Sequence, residues 1–284
     1  MSSNKLLAAV SSRVSHFTPF RKSSRVSKAV LAFDITLVAL SIRTGYLVDK
    51  ISVPEHLIEQ SFSALLKELR DVSECFSDIL HLYEPSGKQS FIVNKVLLLN
   101  KLESLLDQHL SSIYPTFLCL PERGDVYRLD IIPPGLLDVL GMLLEKLKRA
   151  TDSNIPTENQ IIQLPQELSS TICIPLAAIL LDYPIAYVPS SDRTSFLSGV
   201  PLVLYRCRID IQSPALQEEP EEGKGHILLQ FSCPEMVDDS TSAMSTQQIS
   251  VHLESTFGPR IAHSLPGSSL YVDHEHITLD RVAL

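Results

Sequence analysis

The sequence predicts an α/β protein, a mixed sheet with helices packed on it and antiparallel hairpins in the C-terminal third. Three observations carry that reading. Short apolar runs alternate with stretches of helical spacing through the first two thirds of the chain. The last third exchanges most helices for longer β-prone runs around an acidic Gly/Pro segment. Apolar residues make up 44% of the 284, enough to fill a sizeable core and to exclude a disordered or collagen-like chain.

Residues 28–34 (KAVLAFD) form the first predicted strand, because a short apolar run closed by an acid suits a sheet covered on both faces. Gly45 and Tyr46 break the next stretch. Val53-Pro54-Glu55 opens a helix, since proline fits a first turn and an acid suits the positive helix end. Leu57, Phe62, Leu65, Leu66, Leu69 and Val72 continue it at helical spacing toward Cys75 or Phe76. Residues 77–83 and 90–94 flank Glu84-Pro85-Ser86-Gly87-Lys88, the pattern of a hairpin. Next come a helix over 95–110, a strand over 114–120 and a helix over 135–149, the last opened by Pro133-Pro134 and ending in bases that suit its negative end. Residues 151–157 are a polar linker, and 167–181 read as a helix interrupted or kinked near Pro175. Strands are expected over 183–189, 202–211 and 226–233, with residues 217–225 as a solvated acidic loop between the last two. A Ser/Thr-rich stretch, 240–246, leads into a helix over 247–257, and a strand over 270–279 closes the fold. No internal repeat is visible, so residues 29–284 are assigned to one α/β domain preceded by a basic tail or short helix over 1–28.

That leading segment carries Lys5, Arg13, Arg21, Lys22, Arg25 and Lys28, eight serines and no acid, the composition of a mitochondrial transit peptide. The plainer reading is a basic tail with one short packed helix, since Leu6, Val10, Val14 and Phe17 share a helical face. The whole chain has a formal charge of −9, and without these six bases it is more acidic still, so nucleic acid is not an expected partner. The longest apolar run, residues 30–42, holds Asp34 and falls short of the roughly 20 residues needed to cross a bilayer. No membrane association is expected, and the five scattered cysteines point to reduced thiols in an intracellular setting.

Two places attract a chemical reading. Asp34 ends the first predicted strand, and ligands of open α/β sheets gather at strand carboxyl ends, so it is the catalytic candidate; the competing reading is an Asp that caps a turn. In Asp273-His274-Glu275-His276, strand alternation points His274 and His276 the same way, a pair able to chelate zinc, nickel or copper if a third ligand joins them. The competing reading is a polar strand edge guarded by charge. No metal is assigned. Cys207 lies between Arg206 and Arg208, but alternation sends those bases to the opposite face, and Cys119 and Cys233 sit in apolar runs, so all three read as core. There is no G-x-S-x-G elbow and no G-x-G-x-x-G. Pro85-Ser86-Gly87-Lys88 lacks the earlier glycine and the following Ser/Thr of a phosphate cradle, so no cofactor is expected.

Several stretches, taken in order, resemble one known family. They are Val30-Leu31 with Asp34, residues 79–106, residues 179–187 (ILLDYPIAY), 202–209, 227–235 and the closing 278–284 (TLDRVAL). The chain resembles the uncharacterised family called chromosome one open reading frame seventy-four. The resemblance implies one α/β domain and brings no activity, substrate, cofactor or site residue. This chain has Asp182 where the family pattern has glycine, which touches any tight turn there.

The leading expectation is a soluble, intracellular, cytoplasmic protein that acts by binding another protein. The rival is an enzyme with an unrecognised site at strand ends around Asp34. A third reading places the protein in the mitochondrial matrix with residues 1–28 removed. Oligomeric state is left open.

Overall fold

The computed structural model describes residues 2–51, 53–107, 115–152, 161–191, 197–210, 225–235 and 244–279. Among them are seven α-helices and ten strands in three sheets, an α/β fold. The chain divides into two compact units, Met1–Ser111 with Leu137–Leu168, and Ser112–Leu136 with Ser169–Leu284. No helix among the described residues is long and apolar enough to cross a membrane.

The first unit opens with α1 (Ser3–His16), a 3₁₀ turn (Thr18–Phe20) and α2 (Arg25–Ala39). Strand β1 (Gly45–Leu47), α3 (Ile58–Arg70), the hairpin β2 (Ile79–Glu84) and β3 (Gln89–Asn94), and α4 (Lys95–Leu106) come next. Its sheet runs β1-β3-β2-β6, with β6 (Ile161–Gln163) parallel to β2 and the other pairs antiparallel. The basic first segment is part of the core: Leu6, Val10, Val14, Phe17 and Phe20 pack with Leu31, Ile35 and Val38 of α2 and Phe62, Leu65 and Leu69 of α3.

The first predicted strand is a helix. Residues 28–34 lie inside α2, which starts at Ser24, whose side chain accepts the Ser27 N–H at 2.9 Å. Leu31 through Ala39 are all buried, so the helix has no wet side along that stretch and its sequence carries no 3.6-residue period. Such a run cannot be told from a buried strand by pattern. Its stop is equally quiet. Ser41 takes a left-handed φ of 57°, Ile42 N–H bonds back to Leu37 C=O at 2.9 Å and Ser41 N–H to Val38 C=O at 3.1 Å, a left-handed C-cap made without glycine.

In the second unit β4 (Thr116–Leu120) lies between β5 (Tyr127–Leu129), antiparallel, and β7 (Ile185–Pro189), parallel. The other sheet is antiparallel throughout, β8 (Pro201–Asp210) between β9 (His226–Pro234) and β10 (Ser269–Thr278). Helix α5 (Pro134–Asp152) crosses the division after Leu136 and takes in the first two residues of the expected linker, whose remainder lies outside the described residues. So do most of the expected acidic loop and of the Ser/Thr-rich stretch. Helix α7 (Thr246–Ser264) runs seven residues past its expected end, through Gly258 and Pro259. Burial of Ile249, Leu253, Phe257 and Ile261 along one side outweighs the hydrogen bond that Pro259 cannot donate.

Helix α6 (Ser170–Leu180) carries Pro175 inside it and ends at Asp182, which adopts φ 63°. Tyr183 N–H bonds to Ala178 C=O at 3.0 Å, so the tight turn forms with Asp at the glycine-favouring position. Asp182→Gly is expected to keep or raise stability, whereas Asp182→Val is expected to lose on the order of 1–2 kcal/mol because a β-branched residue resists that φ. Denaturant midpoints of the two variants check this.

Candidate functional site

Asp34 does not end a strand. It sits in the middle of α2, 3% exposed, and its carboxylate takes a 2.9 Å bond from Arg43, which lies just past the C-cap of the same helix. Both side chains are almost wholly buried, and the Arg43 guanidinium also lies 5.7 Å from the ring centre of Tyr46 on β1. Burial, with the negative charges of Asp34 and Asp49 nearby, raises the Tyr46 phenol above its ordinary range and keeps it neutral. The premise of the strand-end site is therefore corrected. This acid ties α2 to the chain entering β1.

A second buried polar pair is His81 with Ser90. His81 is fully buried on β2, its Nε2 is 3.0 Å from Ser90 Oγ, and its ring lies 5.1 Å from that of Phe62 on α3. Its Nδ1 has no hydrogen-bond partner among the described residues. A serine–histidine contact of this kind lacks the third group that would orient the ring as a base. Desolvation pushes the His81 pKa down to about 4.

His274 and His276 share a face of β10, as alternation requires, opposite Tyr205 and Val203 of β8. Their ring centres are 6.5 Å apart, His276 contacts Glu235, and His274 lies near Tyr205. On the other face Asp273 pairs with Arg208 and Glu275 with Arg206. Among the described residues no three His, Cys, Asp or Glu side chains form a group that could hold a metal ion. None of the five cysteines forms a disulfide, and Cys119, Cys207 and Cys233 are buried. The Gly-Lys turn is filled from within: Glu84 accepts the Ser86 and Gly87 N–H groups, each at 2.6 Å. A Cβ on Gly87 would stand 3.0 Å from Glu84 Oε2, a tight contact that would push on the seated carboxylate.

What sequence reasoning missed lies on the outer face of α3. Phe62, Leu65, Leu66 and Leu69 bury the inner face, leaving Gln60 and Ala64 on the outside. Two open grooves run along that face, and Gln60 and Ala64 line both. The larger, about 840 Å³, lies against α1 and is lined by Arg13, His16, Phe17, Pro19 and Glu68 among others. The smaller, about 650 Å³, is lined by Glu55, Glu59, Ser63, Lys67 and Tyr83. Asp34, His81 and Ser90 line neither. The signal was present in part, since the apolar stripe of residues 6–17 implies that Arg13 and His16 lie off it, but nothing local placed α1 beside α3.

A family model described as Domain of unknown function (DUF4504) matches residues 15–284. No curated protein and no solved structure matches the chain.

The buried groups make two expectations measurable. Asp34→Leu or Arg43→Met alone is expected to cost about 3–5 kcal/mol, because each strands its partner's charge, while the double variant recovers most of the loss; equilibrium unfolding of the three proteins measures it. His81 refuses a proton that the unfolded chain accepts below 6.5. Its contribution is thus complete above that pH and is lost as pH falls toward about 4, by roughly 1.4 kcal/mol per unit. Unfolding free energies of wild type and His81→Phe across this window should differ in slope by that amount.

Proposed function

The chain belongs to the DUF4504 family of domains of unknown function, and since that membership carries no reaction we propose that this protein is a protein-binding module whose docking face is the outer side of α3. The observation that supports this reading is the pair of adjoining open grooves sharing Gln60 and Ala64. Open grooves of mixed apolar and polar lining, flanking one rigid helix, suit a peptide segment or a partner helix. Two of the polar pairs described above are instead committed to the interior: Asp34 with Arg43, and His81 with Ser90. We further read the family as the one called chromosome one open reading frame seventy-four, which the ordered stretches in this chain resemble.

We place the protein inside the cell, in the cytoplasm. The mitochondrial alternative rests on the acid-free composition of residues 1–28. Against removal of that segment stands the burial of Leu6, Val10, Val14, Phe17 and Phe20, whose loss would open the core of the first unit.

Ala64 is exposed and borders both grooves, so Ala64→Arg fills them without touching the core. A partner identified by affinity purification of the full chain, then purified and titrated against it, is expected to lose at least about tenfold in affinity for Ala64→Arg and to keep it for Ala64→Ser. Equal affinity for the two variants, with both folded by circular dichroism, rejects the face.

A further inference from the structure

We propose that the smaller groove beside α3 takes an arginine side chain of the partner, its guanidinium held by Glu59 together with the hydroxyls of Tyr83 and Ser63; this inference rests on the protein-binding reading above. Three polar groups of the lining stand without partners. Tyr83 is 7% exposed and lines the groove, and its hydroxyl makes no hydrogen bond among the described residues. Ser63 Oγ is buried in the groove wall and has no hydrogen-bond partner there either. Glu59 is exposed and makes no hydrogen bond or salt bridge among the described residues. Buried polar groups are normally satisfied, so two hydroxyls left over in one groove wall point to a ligand that brings hydrogen bonds. The helix dipole favours an acid in the first turn of α3, which accounts for Glu59 but for neither hydroxyl.

The chemistry of the ligand follows from this set. Glu59 and Ser63 lie one helical turn apart, so both border the same groove. A carboxylate only accepts and a hydroxyl can accept, so the fitting ligand is rich in donors and positively charged. The local field has the matching sign. Burial, then the negative charges of Glu55 and Glu59, raise the Tyr83 phenol above its ordinary range, with Lys88 opposing them and Glu84 adding to them. The chain's own cations do not fill the place. Lys88 pairs with Glu55 at 2.9 Å, and Lys67 lies two turns beyond Glu59, about 12 Å away by helical rise. His56, one turn before Glu59, completes the titratable lining. An ammonium is a compact point charge, whereas a guanidinium carries five N–H donors in a planar fork, so arginine matches three separate acceptors better than lysine. Ala64 and Ile161 give the methylene stem an apolar seat.

The test uses the full chain and a fluorescent peptide carrying one arginine between two leucines. The same peptide with citrulline, which keeps the shape and loses the charge, and with lysine serve as controls. Fluorescence anisotropy is expected to show saturable binding of the arginine peptide, about tenfold weaker binding of the citrulline peptide and weaker binding of the lysine peptide. Glu59→Gln is expected to lose about tenfold in affinity for the arginine peptide and to leave that for the citrulline peptide level. Tyr83→Phe is expected to lose about threefold or more for the arginine peptide. Its melting temperature should stay level or rise, because the hydroxyl it removes has no partner in the free protein. Failure of the arginine peptide to bind, equal binding of either control peptide, undiminished binding by Glu59→Gln or Tyr83→Phe, or a lowered melting temperature of Tyr83→Phe overturns the inference. If Ala64→Arg releases an identified partner that Glu59→Gln and Tyr83→Phe retain, the docking face stands and arginine recognition alone falls.

Discussion

Helix α2 has no wet side between Leu31 and Ala39, and the first unit is arranged around that constraint. Every polar group on the stretch needs an internal partner. Thr36 donates its hydroxyl to Ala32 C=O at 2.7 Å, and Asp34 is met by Arg43. Arg43 reaches back along α2 only because the chain reverses at Ser41 in a left-handed turn, and that turn is held in place by Asn94, which donates to Val38 C=O and to Ser41 Oγ. The same Asn94 ends β3 and caps α4 by accepting Leu97 N–H at 3.0 Å. One buried helix thus fixes the entry to β1, the end of the hairpin and the start of α4.

Around it, amphipathic elements close the core and leave the two grooves outside. Helix α3 gives its leucines and Phe62 to the interior and its small outer residues to the grooves. Helix α1 turns Leu6, Val10 and Val14 inward and Arg13 and His16 toward the larger groove. The second unit meets a related problem at its antiparallel sheet, where β10 is an edge. Asp273 and Glu275 occupy that edge and are matched by Arg208 and Arg206 on β8, which discourages pairing with another strand.

Much of this was legible locally. The hairpin over 79–94 announced itself by its Pro/Gly turn, α3 by its leucine spacing, and the shared face of His274 and His276 by strand alternation. Two kinds of feature were not legible. Strands of three residues, β1, β5 and β6, are too short to carry a period and exist because a longer neighbour pairs with them. Helix stops at Ser41 and Asp182 lack glycine, so the usual signal was missing although the backbone makes the usual turn.

The sequence alone determined the α/β class, the order of most elements and the burial of Cys119, Cys207 and Cys233, because periodicity, turn chemistry and apolar runs are properties of short windows. Tertiary structure alone decided that residues 28–34 are helix, that Asp34 belongs to Arg43, and that α1 lies beside α3 to form a groove. A segment buried on every side shows no period to read, and a groove exists only between elements far apart in the chain, so neither leaves its mark in a window of neighbouring residues.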